Sequence, residues 1–213
     1  MAVQPAARAP AAPALPDPPV GADACGNDSW DAVSTEVAGC TRCGLHACRT
    51  RTVFGVGNRS ARWLVVGEAP GAEEDRQGEP FVGRAGKLLD AMLLAIGLRR
   101  DEVFIANVLK CRPPDNRNPA PAEVAQCLPF LERQIALLKP TIMLAVGSVA
   151  AQNLLATDVP VGRLRGRVHA FGSARTPVVV TYHPAYLLRS PGEKRKVWED
   201  LKFARRMAGP QPA

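Results

Sequence analysis

The residues of this chain with chemistry to offer stand in a few short segments. Cys40 and Cys43 form a C-x2-C pair, and Cys111 and Cys127 follow far downstream with fifteen residues between them. Four thiolates can close a zinc site or an iron–sulfur cluster. Spacing alone leaves both open, beside the reading of unrelated buried thiols, because a zinc ribbon usually carries two C-x2-C knuckles and here there is one. Cys25 and Cys48 read as bystanders. The N-terminus shows no basic stretch leading into an apolar core, so the thiols are expected to be reduced and the protein cytoplasmic.

Four further segments carry polar or aromatic candidates. In GEAPGAEED (Gly67–Asp75) a tight turn at Gly67, Pro70 and Gly71 is surrounded by Glu68, Glu73, Glu74 and Asp75. A phosphate cradle would be basic; carboxylates suit the positioning or activation of water, or simply a solvated acidic turn. In EPFVGRAG (Glu79–Gly86), Phe81 either stacks on a ligand base or plugs the core. NVLKCRPPDNRNP (Asn107–Pro119) begins with an asparagine at a strand end. TYHPAYLLRSPGEKRK, from Thr181, places His183 at a strand end, then an apolar tip, then basic residues. GVGNRS at Gly55–Ser60 precedes a strand, which makes a dinucleotide loop a poor reading.

The elements that must position these residues are legible as apolar runs. Arg62–Gly67, Val103–Val108, Thr141–Gly147 and Pro177–Tyr182 are apolar on both parities, as strands buried on both faces are. Between them lie helical patterns. Gly86–Ile96 ends at Gly97, a C-cap signal; Ala120–Leu138 has Pro121 near its first turn; Ser148–Leu155 has Ser148 as expected N-cap; Glu193–Met207 is last. Strand–helix alternation predicts an α/β fold with a largely parallel sheet covered on both faces. Ligands bind beyond the carboxyl ends of such strands. Gly67–Asp75, Asn107–Pro114 and His183–Pro191 all fall there, which points to one active site.

Composition sets the frame. The chain has 213 residues, with a formal net charge of +7, and residues 163–206 hold eleven Lys/Arg against three Asp/Glu. So basic a C-terminal part fits a polyanionic partner, most commonly nucleic acid, or a solvated surface. No apolar run reaches the roughly 20 residues of a membrane helix. Thirteen of the first twenty residues are Ala or Pro, so residues 1–28 read as a disordered tail, 29–208 as one domain and 209–213 as a disordered end. A monomer is expected.

With Cys40, Cys43, Cys111 and Cys127, the segments GEAPG-x3-D, EPFVGRAGKLL, N-x3-CRPP-x2-NR-P and YHPAYLLRSP resemble the family 4 uracil-DNA glycosylases, in order, from about Cys40 to Met207. The resemblance implies a three-layer α/β/α sandwich around a four-stranded parallel sheet, a [4Fe–4S] cluster on the four cysteines, and removal of uracil from single- or double-stranded DNA in base excision repair. The uracil site implied is Glu68, Ala69, Pro70, Gly71, Phe81, Asn107 and His183. Asn107 would pair with N3–H and O4 of the flipped base, backbone N–H groups of the Glu68–Gly71 turn would meet a remaining carbonyl, and His183 would donate to O2 as the base departs. The best-known uracil glycosylases carry a water-positioning Asp where this chain has Ala69, so Glu68 or Glu74 is expected to replace it. They carry a thymine-excluding Tyr where this chain has Gly71. Leu187, with Leu188, would fill the gap in the stack, and Arg189, Lys194 and Arg195 would hold phosphates. No lysine is placed as a Schiff-base nucleophile, so no lyase activity is expected. A silent or covalently trapping iron–sulfur DNA-binding protein of the same fold is the alternative.

Overall fold

The structure, a computed structural model, describes residues 28–209. The Ala/Pro-rich stretch over residues 1–27, Cys25 with it, and residues 210–213 lie outside the described residues. The apolar runs form four parallel strands: β2 (Trp63–Gly67), β3 (Phe104–Asn107), β4 (Ile142–Val146) and β6 (Thr176–Thr181). Two antiparallel edge strands complete the sheet, β1 (Val56–Gly57) and β5 (Val168–Phe171), giving the order β1-β3-β2-β4-β6-β5. The sheet thus has six strands where four were expected. β1 is only two residues long, and β5 alternates exposed with half-buried positions. Neither carries the doubly buried signature by which central strands are recognised.

Side chains of alternate parity part into two cores. Leu64, Val66, Phe104 and Ala145 face a layer containing α1 (Trp30–Ala38), α4 (Pro121–Leu138), α5 (Ser148–Leu154) and α6 (Val161–Leu164). Trp63, Val65, Ile105 and Leu144 face α3 (Arg84–Ala95), α7 (Pro184–Arg189) and α8 (Lys194–Ala208). This is a three-layer α/β/α sandwich. Each fully buried aliphatic side chain contributes about 1.5–3 kcal/mol, and the four central strands are almost wholly buried.

The expected helices form within two residues of their predicted limits. Gly97, with φ of 75°, turns the chain out of α3. Ser148 is the first residue of α5 rather than its cap, a place taken by Gly147. Register then decides where the loops emerge: Gly67 pairs with Asn107, and Val146 with Thr181. All four parallel strands therefore end at one rim.

Candidate active site

A cleft of about 960 Å³ opens along that rim. Glu68, Ala69, Pro70, Gly71, Phe81, Asn107 and His183 all line it, so seven residues spread over more than a hundred positions meet at one place. The cleft is larger than one nucleobase. Its far walls come from Asn116–Asn118 after β3, Ser148 and Gln152 on α5, and Tyr182 and Tyr186 around His183.

Asn107 ends β3 on the floor and is 2 % exposed. Its carbonyl oxygen Oδ1 is buried with no hydrogen-bond partner. Buried polar atoms are nearly always satisfied, so an orphan facing a cleft marks a place for a ligand donor. Close packing fixes its position. A Cβ at Gly67 would fall 2.3 Å from Asn107 Oδ1 and 2.7 Å from the Phe81 ring, so only glycine lets both approach the β2 backbone. Phe81 itself has φ of 54°, a conformation that costs a non-glycine residue about 1–2 kcal/mol. Gly86 accommodates it, since a Cβ there would lie 1.8 Å from the Phe81 carbonyl oxygen. Backbone strain over-determined by its surroundings is typical of ligand clamps.

His183 follows β6 as the cap of α7. Its ring stacks on Phe81 at 5.5 Å between centroids and an interplanar angle of 28°. Nδ1 accepts from the Ala185 N–H at 3.1 Å. Nδ1 is therefore the unprotonated nitrogen, and Nε2 carries the hydrogen. Burial, aided by the Arg189 charge and opposed by Glu74, pushes the imidazole pKa down from 6.5 to about 4. At neutral pH the ring is an uncharged donor through Nε2–H.

The four carboxylates of the acidic turn have different tasks. Glu74, on α2 (Ala72–Gln77), accepts from Gly71 N–H at 3.1 Å through one oxygen and from Val82 and Gly83 N–H at 3.0 and 3.2 Å through the other. It locks the Glu68–Gly71 turn to the Phe81 loop. Asp75 is buried and accepts from Thr50 and Arg51 N–H. Glu73 pairs with Arg76 on the surface. Glu68 lines the cleft, and burial raises its pKa above the ordinary carboxylate value. Since Pro70 has no N–H and that of Gly71 is taken by Glu74, only Glu68 and Ala69 of this turn are left to donate to a ligand.

One expectation needs correction. Leu187 is 1 % exposed and packs in the core shared by α3 and α8. Pro184 and Leu187, three apart, share the inner face of α7, whereas Leu188 is 39 % exposed. Leu187 cannot enter a DNA stack without leaving the core, and Leu188 is the side chain presented to solvent. Arg189 lines the cleft, while Lys194 and Arg195 stand exposed at the start of α8, outside it.

This arrangement has relatives. A profile of the uracil DNA glycosylase superfamily matches residues 54–202. The chain is 43 % identical over 188 residues to a type-4 uracil-DNA glycosylase of Archaeoglobus fulgidus, covering 85 % of this chain and 94 % of the relative. It is 44 % identical over 177 residues to the type-4 enzyme of Thermotoga maritima, covering 81 % and 91 %. The chain belongs to the uracil DNA glycosylase superfamily. A type-5 uracil-DNA glycosylase of Thermus thermophilus is more distant, at 35 % identity over 50 % of this chain and 55 % of its own.

This superfamily member has a second built site, which shares no lining residue with the cleft. Cys40, Cys43, Cys111 and Cys127 line one small pocket beneath α4, together with Arg49 and Lys110. Arg49 donates to Cys111 Sγ at 3.2 Å and to the Cys40 carbonyl at 2.8 Å, and Lys110 N–H donates to Cys127 Sγ at 3.2 Å. Burial raises the Cys111 pKa and pushes Cys127 up to about 11. Among the described residues no three His, Cys, Asp or Glu side chains are placed to hold a single metal ion; the four cysteines share the lining of this one pocket. Cys48 is exposed and outside it.

Sequence reasoning overlooked several cleft residues. Arg117, Asn116 and Asn118 lay inside a quoted motif without being singled out. Gly147–Ser148 follows β4 at the same rim, so the strand-end rule that selected the other three segments also selects it.

Proposed function

We propose that the chain hydrolyses the N-glycosidic bond of deoxyuridine in DNA, releasing free uracil and leaving an abasic site. The observation that carries this reading is the orphaned Asn107 Oδ1 on the cleft floor. Uracil presents a donor at N3 to that acceptor, and O4 can accept from the Asn107 amide. Cytosine presents an acceptor and donors in the reverse pattern; two mispaired buried groups at about 1–3 kcal/mol each would reject it strongly. Phe81 is the apolar wall for the base. Glu74 supports the exclusion of thymine: its Oε2 lies 2.7 Å from where a Cβ at Gly71 would stand. The carboxylate thus fills the space a larger side chain at 71 would take.

As the bond breaks, negative charge gathers on the base and positive charge on the sugar. His183 Nε2–H, neutral and held in one tautomer, donates to O2 of the departing uracil. A donor of this kind is typically worth about 10²–10³ in rate. Glu68 is the carboxylate assigned to position the attacking water, because both oxygens of Glu74 are already held by backbone N–H groups. Among the described residues no lysine lines the cleft, and the buried Lys110 amine donates to the Asn107 backbone carbonyl and to Gln134 Oε1; the reading is a glycosylase without lyase chemistry. Leu188 is the wedge, and Arg189, Lys194 and Arg195 the phosphate contacts, on single- or double-stranded substrate, with the chain acting as a monomer.

The four thiols fit a [4Fe–4S] cluster: the donor set is all sulfur, lines one pocket and receives two N–H donors. Such a cluster would be held by Cys40, Cys43, Cys111 and Cys127 and would supply a covalent cross-link between distant segments, with one-electron redox chemistry available to it.

The test offers oligonucleotides carrying a single uracil, cytosine or thymine to the full-length protein. Free uracil and an alkali-labile site from the first strand only are expected. Absence of base release from a folded protein that binds the uracil strand contradicts the reading.

A further inference from the structure

We infer that Asp75 is a positioning residue that joins the segment carrying the thiol site to the loops that shape the uracil pocket; this rests on the reading of the cleft given above. Asp75 is 4 % exposed and touches no cleft atom that a base would meet. Both its oxygens are engaged: Oδ1 accepts from Thr50 N–H at 2.9 Å and Arg51 N–H at 3.3 Å, and Oδ2 from Thr50 N–H at 3.0 Å. A buried carboxylate bonded only to backbone N–H groups is a fixed strut, and charge-assisted bonds of this kind are stronger than neutral ones.

What the strut connects gives it meaning. On one side, residue 49 is anchored to the thiol site. Arg49 donates to Cys111 Sγ, to the Cys40 carbonyl, and to the Ala38 carbonyl at 3.2 Å. The two backbone N–H groups that Asp75 receives belong to the next two residues. On the other side, Asp75 follows Glu74 on the short helix α2, and Glu74 holds Gly71, Val82 and Gly83. The same two segments also run close together at the end of α2, where a Cβ at Gly78 would lie 3.5 Å from Arg51 Cδ and 3.7 Å from the Thr52 carbonyl oxygen. The Glu68–Gly71 turn is thereby suspended between two anchors: the Glu68 carbonyl, which accepts from Leu109 N–H at 3.0 Å, and α2. Releasing Asp75 loosens the second anchor while every residue proposed to touch substrate remains. Glu68 would then no longer be held where the water must sit, and displacements of about 1 Å can cost on the order of 10²-fold in rate. DNA contacts from α7 and α8 lie on other elements and would be little affected.

Asp75→Asn keeps size and fills the same space but weakens acceptance of the N–H groups. Expected are a kcat about ten- to a hundredfold lower at a KM within about threefold of the parent, measured well below the unfolding temperature. Independently of activity, amide hydrogen exchange at Val82 and Gly83 should quicken along with that at Thr50 and Arg51. Arg49→Ala loosens the same path from the opposite end and should quicken exchange at Val82 and Gly83 too, because coupling is reciprocal; it decides the matter if Asp75→Asn does not fold. Unchanged exchange at Val82 and Gly83 in the folded variants, or an unchanged kcat for Asp75→Asn, overturns the inference. A parent that releases no uracil while these amides still respond would refute the proposed activity and leave the strut standing.

Discussion

His183 shows how much of a site's chemistry is decided by one hydrogen bond and by burial. The Ala185 N–H fixes the tautomer, and burial, with the Arg189 charge, holds the pKa near 4 against an ordinary 6.5. The unfolded chain therefore binds a proton at this residue more readily than the folded one between those values. Stability should fall as pH is lowered from 6.5 towards 4, and the slope of the unfolding free energy in that window should diminish in His183→Gln. Glu68 acts in the opposite protonation sense. In the proposed role it must be ionised to orient water, and burial raises its pKa, so uracil release should decline on the acid side through a pKa above the ordinary carboxylate value. In Glu68→Gln, release should drop about 10²-fold or more and lose that acid limb; a limb that survives assigns it elsewhere. At this scale the sequence was only half legible. It pointed to His183 and Asn107 by their places at strand ends, but it could not divide four adjacent carboxylates among the cleft lining, the loop lock, the contacts to Thr50 and Arg51, and a surface pair. Those tasks depend on which N–H groups the fold brings to each. Nor does anything in Glu79–Gly86 reveal that Phe81 adopts a positive φ.

At the scale of elements, the double-sided apolar runs identified every parallel strand, because burial on both faces is imposed on each residue regardless of its partner. β1 and β5 escaped because an edge strand needs no such pattern. Helix α7 is the instructive case. Read as an apolar tip, Leu187 and Leu188 look equivalent; as a helix, they point to opposite environments. Leu187→Ala should destabilise the fold by about 2–5 kcal/mol, as truncation of a buried leucine does. Leu188→Ala should leave the unfolding midpoint nearly unchanged and lower kcat/KM on duplex substrate more than on single strands, where there is no stack to fill. Thermal unfolding and kinetics on both substrates separate the two; equal effects from the two variants would contradict the helical assignment.

Across the whole molecule, two sites share one architecture. The thiol pocket is separate from the cleft, and the chain between Cys40 and Thr52 connects it to α2 and so to the pocket loops. Cysteine spacing disclosed four sulfurs that could meet, but not the Arg49 and Asp75 contacts that link their segment to α2. Charge is read more simply. The chain carries +7 overall, the basic excess is C-terminal, Arg189 lines the cleft, and Lys194 and Arg195 are exposed outside it. KM for oligonucleotide should rise steeply with salt, log KM being linear in log salt concentration. Lys194→Ala and Arg195→Ala should each reduce that slope by about 0.7–0.9, and an unchanged slope removes those residues from the interface.

The most direct measurement is single-turnover release of free base from a uracil-containing oligonucleotide by the parent, Asn107→Ala and His183→Ala. The account predicts uracil release by the parent and losses of about 10²-fold or more in both variants, with DNA binding retained. Release that persists undiminished in both, or no release by the folded parent, contradicts it.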